Sequence, residues 1–349
     1  MKTVNVALVG FGSGARFFNA PIISSIEGFD IKKILTSTPD NVKNAETDFP
    51  KAIILTDYKE ILEDSSIGLV VIATPNHTHT DYAARALKAG KHVIVEKPLA
   101  TSSQDAEYLI DLSKSHNKLL TVNHNRRWAS DFLTVKKLLE QKRLGRLVEY
   151  EAHLDRFRKE IKTGWKQEKE NAGNGLLYDL GSHLIDQALL LFGHPLEVFA
   201  SLQIQRDEAQ VVDNFELILF YSGLKVTLKA GMLVREKGPV FTLYGTDGTF
   251  LKSGYDVQEE ALKRGEKPQN VLQWGEEPKD SWGKLTTVAG TEMIKSERGN
   301  YKKVYQNLYD AILGKEDLEI TGEQAKAVVK VIELAMKSHA EKRIIPFAD

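Results

Sequence analysis

The stretch VALVGFGSGARFF, residues 6–18, decides the fold class, because an apolar run passes through closely spaced glycines into a helical pattern. Its spacing matches the dinucleotide-binding motif G-x-G-x-x-G/A. The first glycine permits a tight turn, the second lets a pyrophosphate approach the backbone, and the small third residue lets helix pack on strand. The stretch therefore predicts the first βαβ unit of a nucleotide-binding domain. The residues of this turn predicted to bind the cofactor are Gly10, Phe11, Gly12, Ser13 and Ala15.

Hydrophobic periodicity divides the chain into two parts. Residues 1–122 alternate β-branched runs with amphipathic helical patterns, which is typical of a parallel sheet between helices. From about residue 145, longer alternating runs predict an antiparallel sheet with one covered face, interrupted by a helix at 176–192. Residues 254–298 are polar, and a long surface excursion is expected there. We predict an α/β protein: a Rossmann domain over 1–122, then an α+β domain with a large open, predominantly antiparallel sheet over 123–349.

The charge balance and the absence of cysteine exclude several classes of function for this chain. The chain carries 47 basic and 48 acidic side chains, so no overall field favours nucleic acid or an anionic membrane. It contains no cysteine, which excludes disulfides, thiolate metal sites and cysteine nucleophiles. No apolar run approaches the length of a membrane span, and no signal peptide is evident. We expect a cytoplasmic protein with a small-molecule substrate, and neither nucleic acid nor membrane as partner.

The end of the second predicted strand bears on the choice of dinucleotide. An NAD site carries a carboxylate there that accepts a hydrogen bond from the ribose 2′-hydroxyl. In FDIKKILTSTP, residues 29–39, that place is taken by Ser37 and Thr38, while Asp30 lies at the opposite end. Without a carboxylate to repel a 2′-phosphate, NADP is the preferred cofactor and NAD the alternative.

Two further strands, in LVVIATPNHTH (69–79) and KHVIVEKPLA (91–100), end at the edge of the sheet where ligands of open α/β folds bind. Lys97 precedes a proline, which disfavours helical backbone, so its amine should be held in place. A solvated lysine in a turn is an equally good interpretation of this motif alone. The residues predicted to line the cofactor crevice are Thr74, Pro75, Asn76, His79, Glu96, Lys97 and Pro98.

The segment GLLYDLGSHLIDQALLLFG, residues 175–193, predicts a helix on which Asp179, His183 and Asp186 share one face. A capping aspartate with a hydrogen-bonded helix histidine is the structural alternative. His77 and His79 form the only close histidine pair in the sequence, and no metal site is expected.

The motifs GFGSGA, ATPNHTH, AGKHVIVEKPLA and YDLGSHLID occur in the order and spacing of the glucose–fructose oxidoreductase/inositol dehydrogenase (Gfo/Idh/MocA) family. The chain resembles that family from end to end, and NHNRRWASDFLTVKKL (123–138) is similar to its bacterial NADP-dependent scyllo-inositol dehydrogenases. The resemblance implies a Rossmann domain followed by an α/β domain whose open sheet mediates homodimers or homotetramers. It also implies a catalytic trio at Lys97, Asp179 and His183.

The same resemblance implies further contacts. Asn125 is assigned to the cofactor, and Trp165 is expected to flank the nicotinamide. One arginine of NHNRRW should face the substrate, with Arg127 as the choice. In the subgroup an arginine often follows the serine that ends strand two, whereas Thr38 stands here, so NAD stays open as cofactor. The residues expected to bind substrate are Lys97, Arg127, Asp155, Arg156, Asp179 and His183.

The trio predicts oxidation of a secondary alcohol. His183 would take the hydroxyl proton, since its ordinary pKa lies near neutrality. Lys97 would stabilise the developing alkoxide, and Asp179 would bond the substrate or orient the imidazole. The resemblance to the scyllo-inositol dehydrogenases implies that the reaction is hydride transfer between NADP(H) and a cyclic polyol or sugar, with scyllo-inositol as the first choice of substrate. The alternatives are a glycoside hydrolase that retains its NAD, and a non-catalytic regulatory protein that binds the cofactor.

Overall fold

The computed structural model describes residues 2–161, 164 and 168–348 of the chain, which divides into two compact units. The segments of unit 1 are Met1–Asn125, Gln258–Trp274 and Tyr301–Lys326, and those of unit 2 are Arg126–Val257, Gly275–Asn300 and Ala327–Asp349. The first segment ends close to the division predicted at residue 122. The two later segments of unit 1 are not part of that prediction.

Unit 1 is built on a sheet of parallel strands. They are β1 (Val4–Val9), β2 (Phe29–Leu35), β3 (Ile53–Leu55), β4 (Ile67–Ile72), β5 (His92–Val95) and β6 (Leu120–Val122). In the described residues their order is β3-β2-β1-β4-β5-β6, with every pair parallel. The strand order reverses between β1 and β4, and a dinucleotide binds at the carboxyl ends of the strands beside such a reversal. The predicted Rossmann fold is confirmed.

Helices connect these strands and complete unit 1. They are α1 (Ala20–Ile23), α2 (Pro39–Asp48), α3 (Lys59–Leu62), α4 (His79–Lys88), α5 (Ser103–Ser115), α8 (Gln258–Lys263) and α9 (Lys302–Ile312). The longest helix, α10 (Gly322–Glu341), begins in unit 1 and continues into unit 2. Within the residues that the structure describes, no helix has the length and apolar character needed to cross a membrane.

Unit 2 is built on a mixed sheet and includes helices α6 (Ser130–Glu140) and α7 (Ser182–Phe192). The strands are β7 (Leu147–His153), β8 (Glu197–Gln203), β9 (Asn214–Tyr221), β10 (Leu224–Gly231), β11 (Phe241–Gly245), β12 (Gly248–Lys252), β13 (Gly283–Thr287), β14 (Gly290–Ile294) and β15 (Ile345–Pro346). Their order in the described part is β14-β13-β12-β11-β7-β10-β9-β8-β15. Only β7 and β10 pair in parallel there, so the predominantly antiparallel sheet is confirmed.

The expected surface excursion over residues 254–298 is wrong. Strands β13 and β14 extend one edge of the sheet of unit 2, with Leu285 fully buried. Residues 258–274 instead belong to unit 1, where the Trp274 indole donates a hydrogen bond to Gln258 (2.8 Å). In β13 the polar Lys284 and Thr286 are exposed and alternate with buried Gly283 and Leu285, as in a strand with one solvated face.

A fully buried ion pair ties β12 to the segment before β13. Lys252 Nζ lies 2.6 Å from Glu277 Oε2 and also donates to the carbonyls of Gly254 (3.0 Å) and Ser281 (2.5 Å). The hydroxyl of Ser130 donates to the other carboxylate oxygen (2.5 Å). Removing one partner of such a pair costs about 3–5 kcal/mol, because the other charge stays buried. The pair therefore fixes this edge of the sheet of unit 2.

Candidate active site

The glycine turn after β1 has the shape that a dinucleotide requires. Gly10 has φ +89°, and a Cβ there would lie 2.7 Å from the carbonyl oxygen of Ala73, just beyond β4. Position 10 has no room for a side chain, because the end of β1 lies in contact with the end of β4. A Cβ at Gly12, by contrast, would meet no atom of the described residues within 4 Å. Packing does not require glycine at position 12, and the open space beside it fits a pyrophosphate.

The helix after this turn begins differently from the predicted α-helix. Residues Gly14–Asn19 form a π-helix, followed by α1. Ala15 is fully buried, as the motif requires for packing of helix on strand. Ser13 is exposed at the start of the π-helix, whereas the Phe11 ring is buried edge-on against Phe49. If Phe11 contacts the cofactor as predicted, the buried ring leaves the backbone for that contact.

Strand β2 ends at Leu35, paired with Val9 of β1, two residues before Ser37. Ser37 and Thr38 are both exposed, and Thr38 precedes α2, which has a proline at its first position. Ser37 thus lies just beyond the end of the second strand, where the ribose-reading residue of a Rossmann site stands.

The ends of β4 and β5 bring several predicted residues together in unit 1. The Ala73 amide donates to Val9 O (2.8 Å), and the Glu96 amide donates to Ile72 O (2.8 Å). Pro75 precedes a 3₁₀ turn at Asn76–Thr78 that leads into α4. Lys97 is half-buried immediately after Glu96, and the Lys97–Pro98 peptide bond is cis.

His79 is predicted to contact the cofactor, and the structure places its side chain, fully buried, between two loops. Its Nδ1 lies 2.8 Å from Pro98 O, and its Nε2 lies 3.0 Å from Thr74 O. Burial lowers the pKa of this imidazole, because desolvation disfavours the charged form. His79 bridges the loops that follow β4 and β5.

Glu96 is also held by side chains that sequence reasoning does not select. Its Oε1 accepts hydrogen bonds from Asn19 Nδ2 (2.6 Å) and Asn123 Nδ2 (2.7 Å). The hydroxyl of Tyr305, on α9, donates to Asn19 Oδ1. Asn123 stands in the predicted substrate motif, but no spacing rule connects it with Asn19 or with a tyrosine that lies so much later in the chain.

The histidine helix lies in unit 2 and begins with a π-helical turn, Leu177–Gly181, rather than as the continuous α-helix predicted. Single π turns are frequent at functional sites. Asp179 is half-buried within this turn, and its amide donates to Gly175 O (3.1 Å). His183 follows in the first turn of α7 and is 8% exposed. The two side chains thus lie in successive turns of unit 2, whereas Lys97 belongs to unit 1.

Arg127, the predicted substrate contact, forms a buried pair with Asp186 of α7. Its Nε donates to Asp186 Oδ2 (2.9 Å) and its Nη2 to Oδ1 (2.7 Å). An arginine and a carboxylate joined by two parallel hydrogen bonds form a strong and directional interaction. The sequence places Asp186 on one face with Asp179 and His183, but the arginine that it bonds comes from the 3₁₀ turn before α6. The pair braces the histidine helix within unit 2.

The other predicted residues are more dispersed. Asp155 Oδ1 accepts from the Gly231 amide (3.0 Å), and its Oδ2 lies 3.3 Å from His153 Nδ1, so this carboxylate joins β7 to the end of β10. Arg156 is half-buried beside it. Asn125 is the last residue in the first segment of unit 1. Trp165 lies outside the described residues.

Within the described part, no cluster of histidine and carboxylate side chains could hold a metal ion.

Comparison with known proteins matches both halves of the chain. Residues 4–124 match the family model "Oxidoreductase family, NAD-binding Rossmann fold", and residues 136–347 match "Oxidoreductase family, C-terminal alpha/beta domain". The scyllo-inositol 2-dehydrogenase (NADP(+)) IolW of Bacillus subtilis is 39% identical over 349 residues, which cover 99% of this chain and 96% of that protein.

Solved structures agree with this match over the whole length. The oxidoreductase yvaA from Bacillus subtilis has a TM-score of 0.95 at 37% identity, covering 99% of both chains. The oxidoreductase YPO2259 from Yersinia pestis has a TM-score of 0.93 at 36% identity, covering 100% of this chain and 98% of that one.

We expect Gly12→Val to block the dinucleotide without unfolding unit 1, because its side chain enters space that no described residue fills. The Kd for the cofactor, measured by nucleotide fluorescence, should rise by about tenfold or more, the effect of losing roughly 1.4 kcal/mol. Gly10→Ala is the contrasting variant, since its Cβ meets the Ala73 carbonyl and it should lower the melting temperature. Unchanged cofactor affinity in Gly12→Val would contradict the assigned phosphate position.

Proposed function

We propose a function for this chain from the premise that it belongs to the Gfo/Idh/MocA oxidoreductase family and is an NAD(P)-dependent dehydrogenase. The proposal is hydride transfer between NADP(H) and a secondary alcohol or ketone of a cyclic polyol or sugar, with scyllo-inositol as the first candidate. The observation that carries the choice of substrate is the end-to-end similarity to a scyllo-inositol 2-dehydrogenase (NADP(+)).

Three side chains of this protein would perform the acid–base part of the reaction. His183 removes the hydroxyl proton of the alcohol, Lys97 donates a hydrogen bond to the same oxygen as negative charge develops, and Asp179 orients the substrate or the imidazole. The nicotinamide, when bound, accepts the hydride. The half-buried setting of Lys97 and Asp179 and the nearly buried His183 support these roles, because a desolvated charge interacts more strongly than one in water.

The other residues predicted to bind the substrate differ in what their side chains contact. Arg156 is half-buried and remains our candidate for binding polyol hydroxyls, with Asp155 beside it. Arg127 bonds Asp186, so we assign it to orientation of the histidine helix rather than to the substrate itself.

We expect wild-type protein to reduce NADP with scyllo-inositol in a panel of polyols and sugars followed at 340 nm. Lys97→Ala should lower kcat by about 100-fold or more, since it removes a donor to the developing alkoxide. Lys91→Ala is the matched control at the other end of β5, where the amine donates to Asp64 O, and its kcat should stay near normal. Activity confined to charged hydroxy acids, or normal turnover by Lys97→Ala, would contradict the proposal.

NADP is the proposed cofactor, because Ser37 is exposed just beyond β2 where NAD enzymes carry a carboxylate. Ser37→Asp should shift the ratio of kcat/KM values toward NAD by about tenfold or more, since a carboxylate repels a 2′-phosphate by about 1–4 kcal/mol. Ser65→Asp adds the same charge to an exposed serine before β4 and should leave the ratio unchanged. A wild-type preference for NAD would overturn this assignment.

We infer that the open face of the sheet of unit 2 joins copies of the chain into a dimer or tetramer. Along β9, Phe215, Leu217 and Leu219 are buried on one face, whereas Ile218 and Phe220 are half-buried on the other. This second face also carries ion pairs between neighbouring strands, at Lys225–Glu149 and Lys229–Glu216. An apolar centre with polar surroundings is typical of an association surface.

Sedimentation velocity should show a dimer or larger species for the wild type. Ile218→Lys should shift it toward the monomer, because a charge would enter the apolar centre of the interface. Val288→Lys, at the fully exposed turn between β13 and β14, is the control and should sediment as the wild type does. A monomeric wild type would contradict this part of the proposal.

A further inference from the structure

Lys97 is flanked on both sides by residues whose positions are fixed by side chains from elsewhere in unit 1. On its amino side, the Glu96 amide donates to Ile72 O, and the Glu96 carboxylate accepts from Asn19 and Asn123. On its carboxyl side, the Pro98 carbonyl faces the imidazole of His79 at 2.8 Å. Lys97 is therefore attached at both neighbouring residues, although it follows the end of a strand.

Asn19, which bonds the Glu96 carboxylate, has all the hydrogen bonds of its side-chain amide occupied. Asn19 Nδ2 donates to Gly14 O (3.0 Å) as well as to Glu96, and Asn19 Oδ1 accepts from Tyr305 and from Asn123 (3.2 Å). Asn19, Asn123 and Tyr305 are each no more than 3% exposed. Water does not compete strongly for these bonds, so the amide of Asn19 has one orientation that satisfies every partner.

His79 also holds the loop that carries Lys97 through polar contacts of a buried side chain. Its two ring nitrogens face carbonyl oxygens from two different loops, Thr74 O and Pro98 O. At least one nitrogen carries a hydrogen and donates it. The ring is fully buried, so it fills the space between these loops and keeps them at a fixed separation.

We propose that Glu96 and His79 are positioning residues for Lys97. Tyr305 of α9 contributes to the same role, because its hydroxyl holds the side chain of Asn19 in the orientation that bonds Glu96. The inference rests on the proposed function in one respect, since it takes Lys97 as the residue that contacts the substrate. A catalytic group displaced by about 1 Å can lose about 100-fold in rate. A lysine amine on a long flexible stem depends strongly on a fixed main chain.

The sharpest test compares two tyrosines of α9. Tyr305→Phe removes the hydroxyl that bonds Asn19, whereas Tyr309→Phe removes the hydroxyl of a tyrosine whose side chain is buried to the same extent and which donates to Lys2 O. We expect Tyr305→Phe to speed amide hydrogen exchange in residues 94–101 of the cofactor-free protein by about fivefold, which corresponds to one lost hydrogen bond. Tyr309→Phe should leave that segment unchanged. Equal exchange in both variants would overturn the inference.

Substitution of Glu96 separates position from charge. Asn19 and Asn123 both donate to Glu96 Oε1, and the carbonyl oxygen of a glutamine can accept both bonds. Glu96→Ala should lower kcat by about 10- to 100-fold. Glu96→Gln should restore kcat to within about threefold of the wild type. If Glu96→Gln is as slow as Glu96→Ala, the carboxylate acts by its charge and the positioning role is wrong.

His79→Phe tests the second anchor, because it keeps a ring and removes both polar contacts. We expect faster exchange in residues 94–101 and a kcat lowered by about tenfold or more. His92→Phe is the control: it removes the histidine at the start of β5 whose Nδ1 accepts from the Leu119 amide, and it should leave kcat near normal. Unchanged exchange and kcat in His79→Phe would overturn this half of the proposal.

The exchange measurements also separate this inference from the proposed function. If the wild type proves inactive on polyols while Tyr305→Phe and Glu96→Ala still loosen residues 94–101, the function fails and the anchoring stands. If Lys97→Ala abolishes activity while neither variant alters exchange or kcat, the anchoring fails and the function stands.

Discussion

The close approach of Gly10 to the carbonyl of Ala73 is the constraint on which the nucleotide-binding half depends. The central strands β1 and β4 end side by side, and the chain can leave β1 only through a turn with positive φ that has no Cβ. This turn leaves Gly12 open, and it starts the π-helix that carries Asn19 toward Glu96. One steric requirement thus positions both the glycine proposed to face the phosphates and the proposed first anchor of the loop that carries Lys97.

Buried polar groups in both units follow the same physical rule. A polar side chain without water is costly unless its hydrogen bonds are made within the protein. In unit 1 the Glu96 carboxylate meets this rule by accepting from the side-chain amides of Asn19 and Asn123, and the neutral His79 ring meets it by donating to a loop carbonyl oxygen. The Arg127–Asp186 pair meets it in unit 2. In each case the bonds that satisfy a buried group also fix a segment that bears a candidate catalytic residue.

Sequence reasoning predicts the elements in which local chemistry and periodicity agree. The glycine turn, the parallel strands and the ends that carry Thr74 and Lys97 have this property, because glycine, proline and apolar runs signal them locally. It does not predict β3, which has only three residues, or β13 and β14, whose outward residues are polar. The partner of Asn19 could not be predicted either, since Tyr305 lies far away in the chain and its hydroxyl resembles that of any buried tyrosine.

Transfer of deuterium tests the central claim most directly, namely that the protein catalyses net oxidation of a polyol by NADP. The substrate would be scyllo-inositol deuterated at its ring carbons, and the cofactor would be analysed by mass spectrometry after turnover. We predict one deuterium in each NADPH formed, together with an inosose product. Deuterium that stays in the substrate, with no net NADPH, would contradict the account and favour a protein that retains its cofactor for hydrolysis or regulation.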